Sequence, residues 1–432
     1  MSKPLIVDLH IHSHFSRATS KDMNISSLYR WGKIKGINVI GTGDFTHPGW
    51  ISELQEKLEP AEPGLFRLKK EFAVKEDALL PASCKDNLIR FILTVEISNI
   101  YSRHGKVRKL HNLIVVPDFV TALKINARLD KIGNIKHDGR PILGMDSYDL
   151  LKLSIETNPD NIFIPAHIWT PWFAMFGSKS GFDTLEEAFG DLTSHVKAVE
   201  TGLSSDPYMN WRLSQLDRVT LVSHSDAHSP RNLGREANII DSELSYQGII
   251  NAIKTNDEHF VGTIEFYPQE GKYHYDGHRL CKIQFSPQQS LEHQGICPVC
   301  QKPLTLGVDY RVTQLADREE SYKPKKHKKV EYIIPLTEMI KEIEQVKSVS
   351  SQKADLKYKE IIANLGNEFD LLSNVSINDI NRAGFPLYAL AIEKMRKGEV
   401  KIDPGYDGVY GVVKVFADQE LANLAGQQLG FL

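Results

Sequence analysis

The feature that most constrains this chain is Leu5-Ile-Val-Asp-Leu-His-Ile-His12, close to its N-terminus. Strand side chains alternate between two faces. Read as a β-strand, the segment puts Leu5, Val7, Leu9 and Ile11 on one face and Ile6, Asp8, His10 and His12 on the other. Two imidazoles then project side by side, where one metal ion can take both. Asp8 is placed either to ligate or to orient a neighbouring histidine. Alone, a His-x-His pair is as consistent with core packing. It becomes chemistry when acids and histidines recur at the ends of later strands.

They do recur. Ile37–Asp44 reads as a strand ending in an acid, with His47 three residues on. Phe91–Ile97 carries Glu96 near its end, and Asn161–His167 ends in histidine. Val196–Glu200 is a sixth strand, and Val219–His228 a seventh that closes on Asp226 and His228. His111–Val116 is the awkward member, because its histidine begins the strand and a capping or core role is open to it. Helical periodicity over residues 26–35, 122–131, 148–154 and 185–189 separates several of these strands. Alternating strand and helix predicts an α/β fold with a parallel sheet. Function in such sheets sits at the carboxyl ends of the strands. Over 432 residues, two or three domains are expected. Residues 1–265 form the first, 266–330 the second and 331–432 a mainly helical third.

Eight candidate ligands result: His10, His12, Asp44, Glu96, His111, His167, Asp226 and His228. They are too many for one tetrahedral ion and fit two or three divalent metals, with a carboxylate such as Glu96 bridging. Mixed imidazole and carboxylate donors suit zinc, manganese or iron better than calcium or magnesium alone. Clusters of this kind activate a water and clamp the attacking and leaving oxygens of a phosphate ester.

Beyond His167 runs Trp169-Thr-Pro-Trp172-Phe-Ala-Met-Phe176-Gly-Ser178-Lys179-Ser180. Such aromatics either pack in the core or stack on an unpaired base, with Ser178, Lys179 and Ser180 near a phosphate. Further on, His278-Arg-Leu-Cys281 and Cys297-Pro-Val-Cys300 are two x-x-spaced pairs fifteen residues apart. That is the spacing of a structural zinc site. His278 suits the fourth position best, with His274 and His293 as rivals. The run Lys323-Pro-Lys325-Lys326-His-Lys-Lys329 is either a solvated loop or an electrostatic footprint for nucleic acid. A net charge of −3 does not decide between them. No run approaches the ~18 apolar residues of a membrane span. The N-terminus leads straight into a strand without a signal-peptide pattern, so a cytoplasmic protein is expected.

The motifs Asp8-Leu-His-Ile-His-Ser13, Asp44, Thr94-Val-Glu96, His111, Ala166-His167 and Ser225-Asp226-Ala-His228, in that order, resemble the polymerase and histidinol phosphatase (PHP) domain. The resemblance covers residues 4–265 and implies a distorted (βα)7 barrel with a trinuclear metal centre. It implies that His10 and His12 share a metal with Asp226, that Glu96 bridges, that His111 and His167 hold another metal, and that Asp44 and His228 complete the set. One departure is Arg17, where many members carry an acid. An arginine cannot ligate a metal, but it can grip a phosphate in bidentate fashion. Asp226, Glu96 and Arg17 are therefore the expected catalytic residues.

The zinc pattern, Pro303-Leu-Thr-Leu-Gly-Val308, Leu315-Ala-Asp-Arg318 and Pro404-Gly-Tyr-Asp-Gly-Val-Tyr-Gly411 extend the resemblance. Along nearly its full length the chain looks like the endonuclease Q family of DNA repair nucleases. That resemblance implies cleavage 5′ of deaminated bases (uracil, hypoxanthine, xanthine) and abasic sites in double- or single-stranded DNA, leaving 3′-hydroxyl and 5′-phosphate ends. It leaves open whether a sliding clamp docks, and gives the membrane no role. Trp169, Trp172, Ser178, Lys179, Ser180, Lys325 and Lys326 are the expected DNA contacts. A phosphomonoesterase of the histidinol phosphatase kind is the alternative that the barrel motifs alone permit.

Overall fold

The first strand, β1 (Leu5–Asp8), lies inside a mixed sheet. It runs parallel to β2 (Val39–Gly41), which runs parallel to β3 (Arg90–Arg103). From there the sheet departs from the all-parallel expectation. β3 turns directly back into β4 (Lys106–Val116), which pairs antiparallel with β5 (Ile162–Pro165). β6 (Ala198–Glu200) and β7 (Thr220–Val222) form a separate parallel ladder. On the other side of β1, β8 (Ala237–Ile240) and β9 (Phe260–Glu265) add antiparallel, and β10 (Lys329–Tyr332) closes the edge parallel to β9. The computed structural model describes residues 3–417, 419–421 and 423–424.

The reversal has a local cause. His104 and Gly105 both adopt positive φ (53° and 72°), the backbone a two-residue hairpin turn requires. The hairpin extends β3 and β4 well past the expected strands. Glu96 therefore sits in mid-strand and not at a strand end, and His111 lies opposite Ser98 in the ladder and does not open its strand.

Alternation along these strands builds one interior. Val7, Val39, Ile92, Val115, Ile164, Ala198, Val222 and Ile240 come from β1 to β8 in turn and form a single apolar cluster with the helix Tyr246–Thr255. That helix is amphipathic, with Ile249, Ile250 and Ile253 buried and Lys254 in its last turn. Where a backbone ladder is missing between β7 and β8, the buried Asn238 bridges them. Its Oδ1 accepts from the Ser223 N–H at 3.0 Å, and its Nδ2 donates to the Ser223 carbonyl at 2.8 Å. The strands thus curl round a closed core, and the segments that follow them gather at one end.

A second, larger core lies outside the strands. It joins the helix Ile25–Lys35 to the C-terminal helices Leu336–Ile343, Gln352–Leu365, Ile377–Arg382 and Pro386–Arg396. A Lys35–Glu368 ion pair at 2.8 Å is buried between the two parts. Removing one partner of such a pair costs roughly 3–5 kcal/mol. Between Ile377–Arg382 and Pro386–Arg396 the helical path is broken. Gly384 takes φ 89° and Pro386 starts the second helix, where its missing N–H costs nothing. β10 carries the chain from the basic run straight into the first sheet. Among the described residues, no helix is long and apolar enough to cross a membrane.

Candidate metal centre

Two groups of donors converge at the end of the strands, and Glu96 belongs to both. His12 Nε2 lies 3.1 Å from Glu96 Oε2 and 3.1 Å from Asp226 Oδ1, and His10 Nε2 lies 3.5 and 3.8 Å from the same two oxygens. The other Glu96 oxygen faces the second group. His111 Nδ1 is 2.7 Å and His167 Nε2 3.1 Å from Oε1. A carboxylate with one oxygen towards each group is placed to bridge two cations.

A test of fit lies in the atoms left without partners. His10 Nε2, His12 Nε2 and Asp226 Oδ1 are buried, face one another and have no hydrogen bond. Stranding three polar atoms costs roughly 1–3 kcal/mol each, and a divalent ion between them removes that cost. Imidazole with carboxylate is the donor chemistry of zinc, manganese and iron. The residues fit a metal at each group.

Burial pushes the Glu96 and Asp226 carboxyls up, but the neighbouring imidazoles and Arg140 outweigh it. His111, Arg140 and His10 hold Glu96 well below the usual carboxylate range, and His12 and His10 do the same for Asp226. Both therefore stay ionised. The backbone is strained at the same place: Asp44, His167 and Asp226 take positive φ of 52°, 29° and 45°. Non-glycine residues held so are a recurrent mark of functional sites.

A further layer fixes the ring orientations. Glu200 is buried at the end of β6, with His10 Nδ1 3.0 Å from each oxygen and His224 Nδ1 3.0 Å from Oε1. The His167 backbone N–H donates to Oε2 at 2.8 Å. Asp44 holds His12: its Oδ1 is 3.1 Å from His12 Nδ1, and its Oδ2 accepts from the Ser13 N–H, Ser13 Oγ and Ser16 Oγ at 2.6, 2.7 and 2.9 Å. The sequence reading makes Asp44 a ligand; the structure gives both its oxygens to protein donors. Asp8 touches neither histidine. It accepts from the Ser225 and Gly234 N–H groups at 3.1 and 3.0 Å and so sets the loop that carries Asp226. His228 lies beside His12, with ring centroids 4.5 Å apart, and its Nδ1 is turned to the Asp226 carbonyl at 2.9 Å.

Arg17 stands apart from the two donor groups. Its side chain is 71% exposed and bonded to His137 and Asp138. The arginine at the centre is Arg140, with Nη1 3.0 Å from Glu96 Oε2. No spacing rule points to Arg140, which sits in an irregular loop. Glu200 carries the same sequence signal as the other acids, since it ends a predicted strand.

A cavity of about 940 Å³ opens from His111, His167 and Asp226. Its walls include Trp172, Phe173, Glu270, Lys272, His274 and Tyr410. Trp172 is 47% exposed and available there. Trp169 is not: it is buried, and its Nε1 donates to Asn210 at 2.7 Å, so it packs the loop and meets no solvent. Ser178 and Lys179 are exposed, whereas Ser180 is buried and bonded to the Phe173 N–H and the Lys109 carbonyl. Lys325 and Lys326 are exposed, and Lys326 lines a separate small cavity beside Trp211.

In the middle of the chain, His278, Cys281, Cys297 and Cys300 bring one donor atom each within 4.8 Å of the others. His278 Nδ1 is 3.5 Å from Cys300 Sγ. The rivals lie elsewhere: His274 lines the large cavity, and His293 stacks on Phe285. Three thiols and an imidazole in one cluster fit a tetrahedral zinc site.

Solved structures match nearly the whole chain. The lesion-specific endonuclease PfuEndoQ from Pyrococcus furiosus superposes with a TM-score of 0.82 at 28% identity, over 97% of this chain and 99% of that one. This chain is similar in structure to endonuclease Q along nearly its whole length. A structure of Endonuclease Q with a 27-mer duplex substrate, an abasic lesion at its active site, superposes at 0.81 with 29% identity, covering 97% and 98% of the two chains. Residues 335–399 match the family described as MJ0043 C-terminal domain. In sequence, the uncharacterized protein MJ0043 of Methanocaldococcus jannaschii is 29% identical over 284 residues, 63% of this chain and 35% of that protein. The uncharacterized protein YqxK of Bacillus subtilis is 30% identical over 256 residues, 59% of this chain and 61% of that protein. The matches thus span about a third and three fifths of those two relatives.

Proposed function

We propose that this chain is a metal-dependent DNA repair endonuclease of the endonuclease Q kind. It hydrolyses the phosphodiester 5′ of deaminated bases and abasic sites, leaving 3′-hydroxyl and 5′-phosphate ends, and works in the cytoplasm. The observation that carries the reading is the Glu96 carboxylate shared between two donor groups at the mouth of the large cavity. Full-length similarity to an enzyme whose substrate is an abasic duplex supports it.

His10, His12 and Asp226 would hold one divalent ion, His111 and His167 a second, with Glu96 between them. Such ions supply activation of a water and neutralisation of phosphate charge. The chain's own residues do the rest. Glu200 and Asp44 fix the imidazole faces that meet the metals. The cavity takes a nucleotide out of the stack, which costs least where pairing is already lost. Trp172 and Phe173 offer it aromatic faces. The Cys281, Cys297, Cys300 and His278 cluster would hold a structural zinc that fixes the fold of the middle of the chain.

End-labelled duplexes with a single uracil, hypoxanthine or abasic site test the reading. Nicks at the phosphodiester directly 5′ of the lesion, which DNA ligase seals directly, are expected with manganese or magnesium present. Faster turnover of a small phosphomonoester than of lesion DNA would favour a phosphatase instead.

A further inference from the structure

The resemblance to PHP domains carries three metals, but the side chains here offer donors for two. Among the described residues the centre contains two donor groups and no third. The residues expected to complete a third are engaged or absent. Both Asp44 oxygens are taken by protein donors, four in all. His228 belongs to no donor group. Arg17 points to solvent.

A different cation stands beside the cluster. Arg140 Nη1 contacts Glu96 Oε2, the oxygen that faces His12 and His10. Its charge also acts on Asp226 and Asp44. The loop that carries it is fixed from both sides. The Gly139 N–H donates to the Phe15 carbonyl at 3.1 Å, and the Arg140 N–H donates to Asp138 Oδ1 at 3.1 Å. A Cβ at position 139 would stand 2.4 Å from Asp44 Oδ2 and 2.5 Å from Ser16 Oγ. Only glycine lets the backbone approach Asp44 so closely, and that approach delivers the next side chain to Glu96. The Arg140 side chain remains 30% exposed. Nη1 is the one guanidinium nitrogen with a hydrogen bond among the described residues, which leaves the other two nitrogens as donors for a ligand.

We propose that Arg140 is the third cation of this centre and binds a non-bridging oxygen of the scissile phosphate in place of a third metal. The proposal deepens the nuclease reading and rests on it for the identity of the phosphate. A guanidinium suits the task, because it is always charged, matches a phosphate in bidentate geometry and cannot be lost to chelation. In the free protein Glu96 holds it where a phosphate will arrive.

Two readouts test this. The first is metal bound per full-length chain, counted by mass spectrometry. One ion per donor group gives three in the wild type, and the count should be unchanged in Arg140→Ala and Arg140→Lys. The second is single-turnover nicking of a duplex with one abasic site at saturating metal. Arg140→Ala should lose about 10²–10³-fold, the usual effect of removing one preorganised donor to a transition-state oxyanion. Guanidinium added to that variant should restore part of the loss, and Arg140→Lys should keep more activity than Arg140→Ala. A fourth ion in the wild type would overturn the proposal. So would loss of an ion in Arg140→Ala, which would make Arg140 a support for Glu96, or near-normal nicking by Arg140→Ala. If the wild type leaves the abasic duplex intact, the nuclease reading has failed separately. The same variants are then compared on bis(p-nitrophenyl) phosphate, and the metal count stands unaltered.

Discussion

Glu200 offers the sharpest perturbation, because it supports residues of both donor groups while belonging to neither. It receives the His10 and His224 rings and the His167 backbone N–H. With Nδ1–H donating to Glu200, His10 must present its Nε2 lone pair to the centre, which is the form that ligates. Glu200→Gln preserves the volume and replaces one acceptor oxygen with an amide donor. That amide must face a ring N–H or the His167 N–H, so one of the three bonds becomes a donor meeting a donor. A hydrogen bond to a charged group is worth roughly 1.5–3 kcal/mol, which is about 10- to 100-fold in an equilibrium constant. Outer-layer mutations at metal sites typically weaken affinity by that same ~10–100-fold. The assay is nicking by chelator-stripped protein as manganese or zinc is titrated back. The half-saturating concentration should rise by one to two decades, with most of the maximal rate recovered at high metal. A half-saturating concentration within about twofold of wild type would refute the supporting role.

Other outcomes follow from the same geometry. Asp226→Ala should release the metal of the His10–His12 group and abolish nicking while the thermal midpoint of the fold stays measurable; metal analysis and calorimetry check both. Cys297→Ser should lower the metal count by one and destabilise the middle module, leaving barrel metal intact, so an unchanged zinc stoichiometry would contradict the assignment. Trp172→Ala should weaken lesion-DNA binding with little effect on stability, whereas the buried Trp169→Ala should cost about 3–5 kcal/mol of stability. Burial and Glu338 push the Glu270 carboxyl up to about 8. A carboxyl that is more basic in the folded state gives stability that is full below its unfolded pKa of ~4.3 and is lost as pH rises towards 8. Glu270→Gln should flatten that loss in denaturation curves between those limits.

Much of the centre is legible in the sequence because strand ends and short motifs are local. His10, His12, Glu96, His111, His167 and Asp226 all carry such signals, and the structure brings them together. The Cys-x-x-Cys pairing and His278 are legible for the same reason. What was not legible depends on chain reversal or on partners far away in sequence. The His104–Gly105 turn converts an expected parallel connection into a hairpin and moves Glu96 and His111 to mid-strand. Asp44 looks like a ligand by position, yet the Ser13 and Ser16 donors claim its oxygens. Trp169 and Trp172 are indistinguishable in composition, and only packing buries one and exposes the other. Arg140 lies 44 residues from Glu96 in a loop without periodicity, so nothing in the chain announces the contact.

Crystals of the full chain grown with manganese or zinc, with anomalous scattering recorded at the metal edge, put the central claim to trial. One peak should stand among His10, His12 and Asp226, and a second between His111 and His167, with a Glu96 oxygen on each. A barrel without peaks, or with peaks that Glu96 does not touch, would contradict the account.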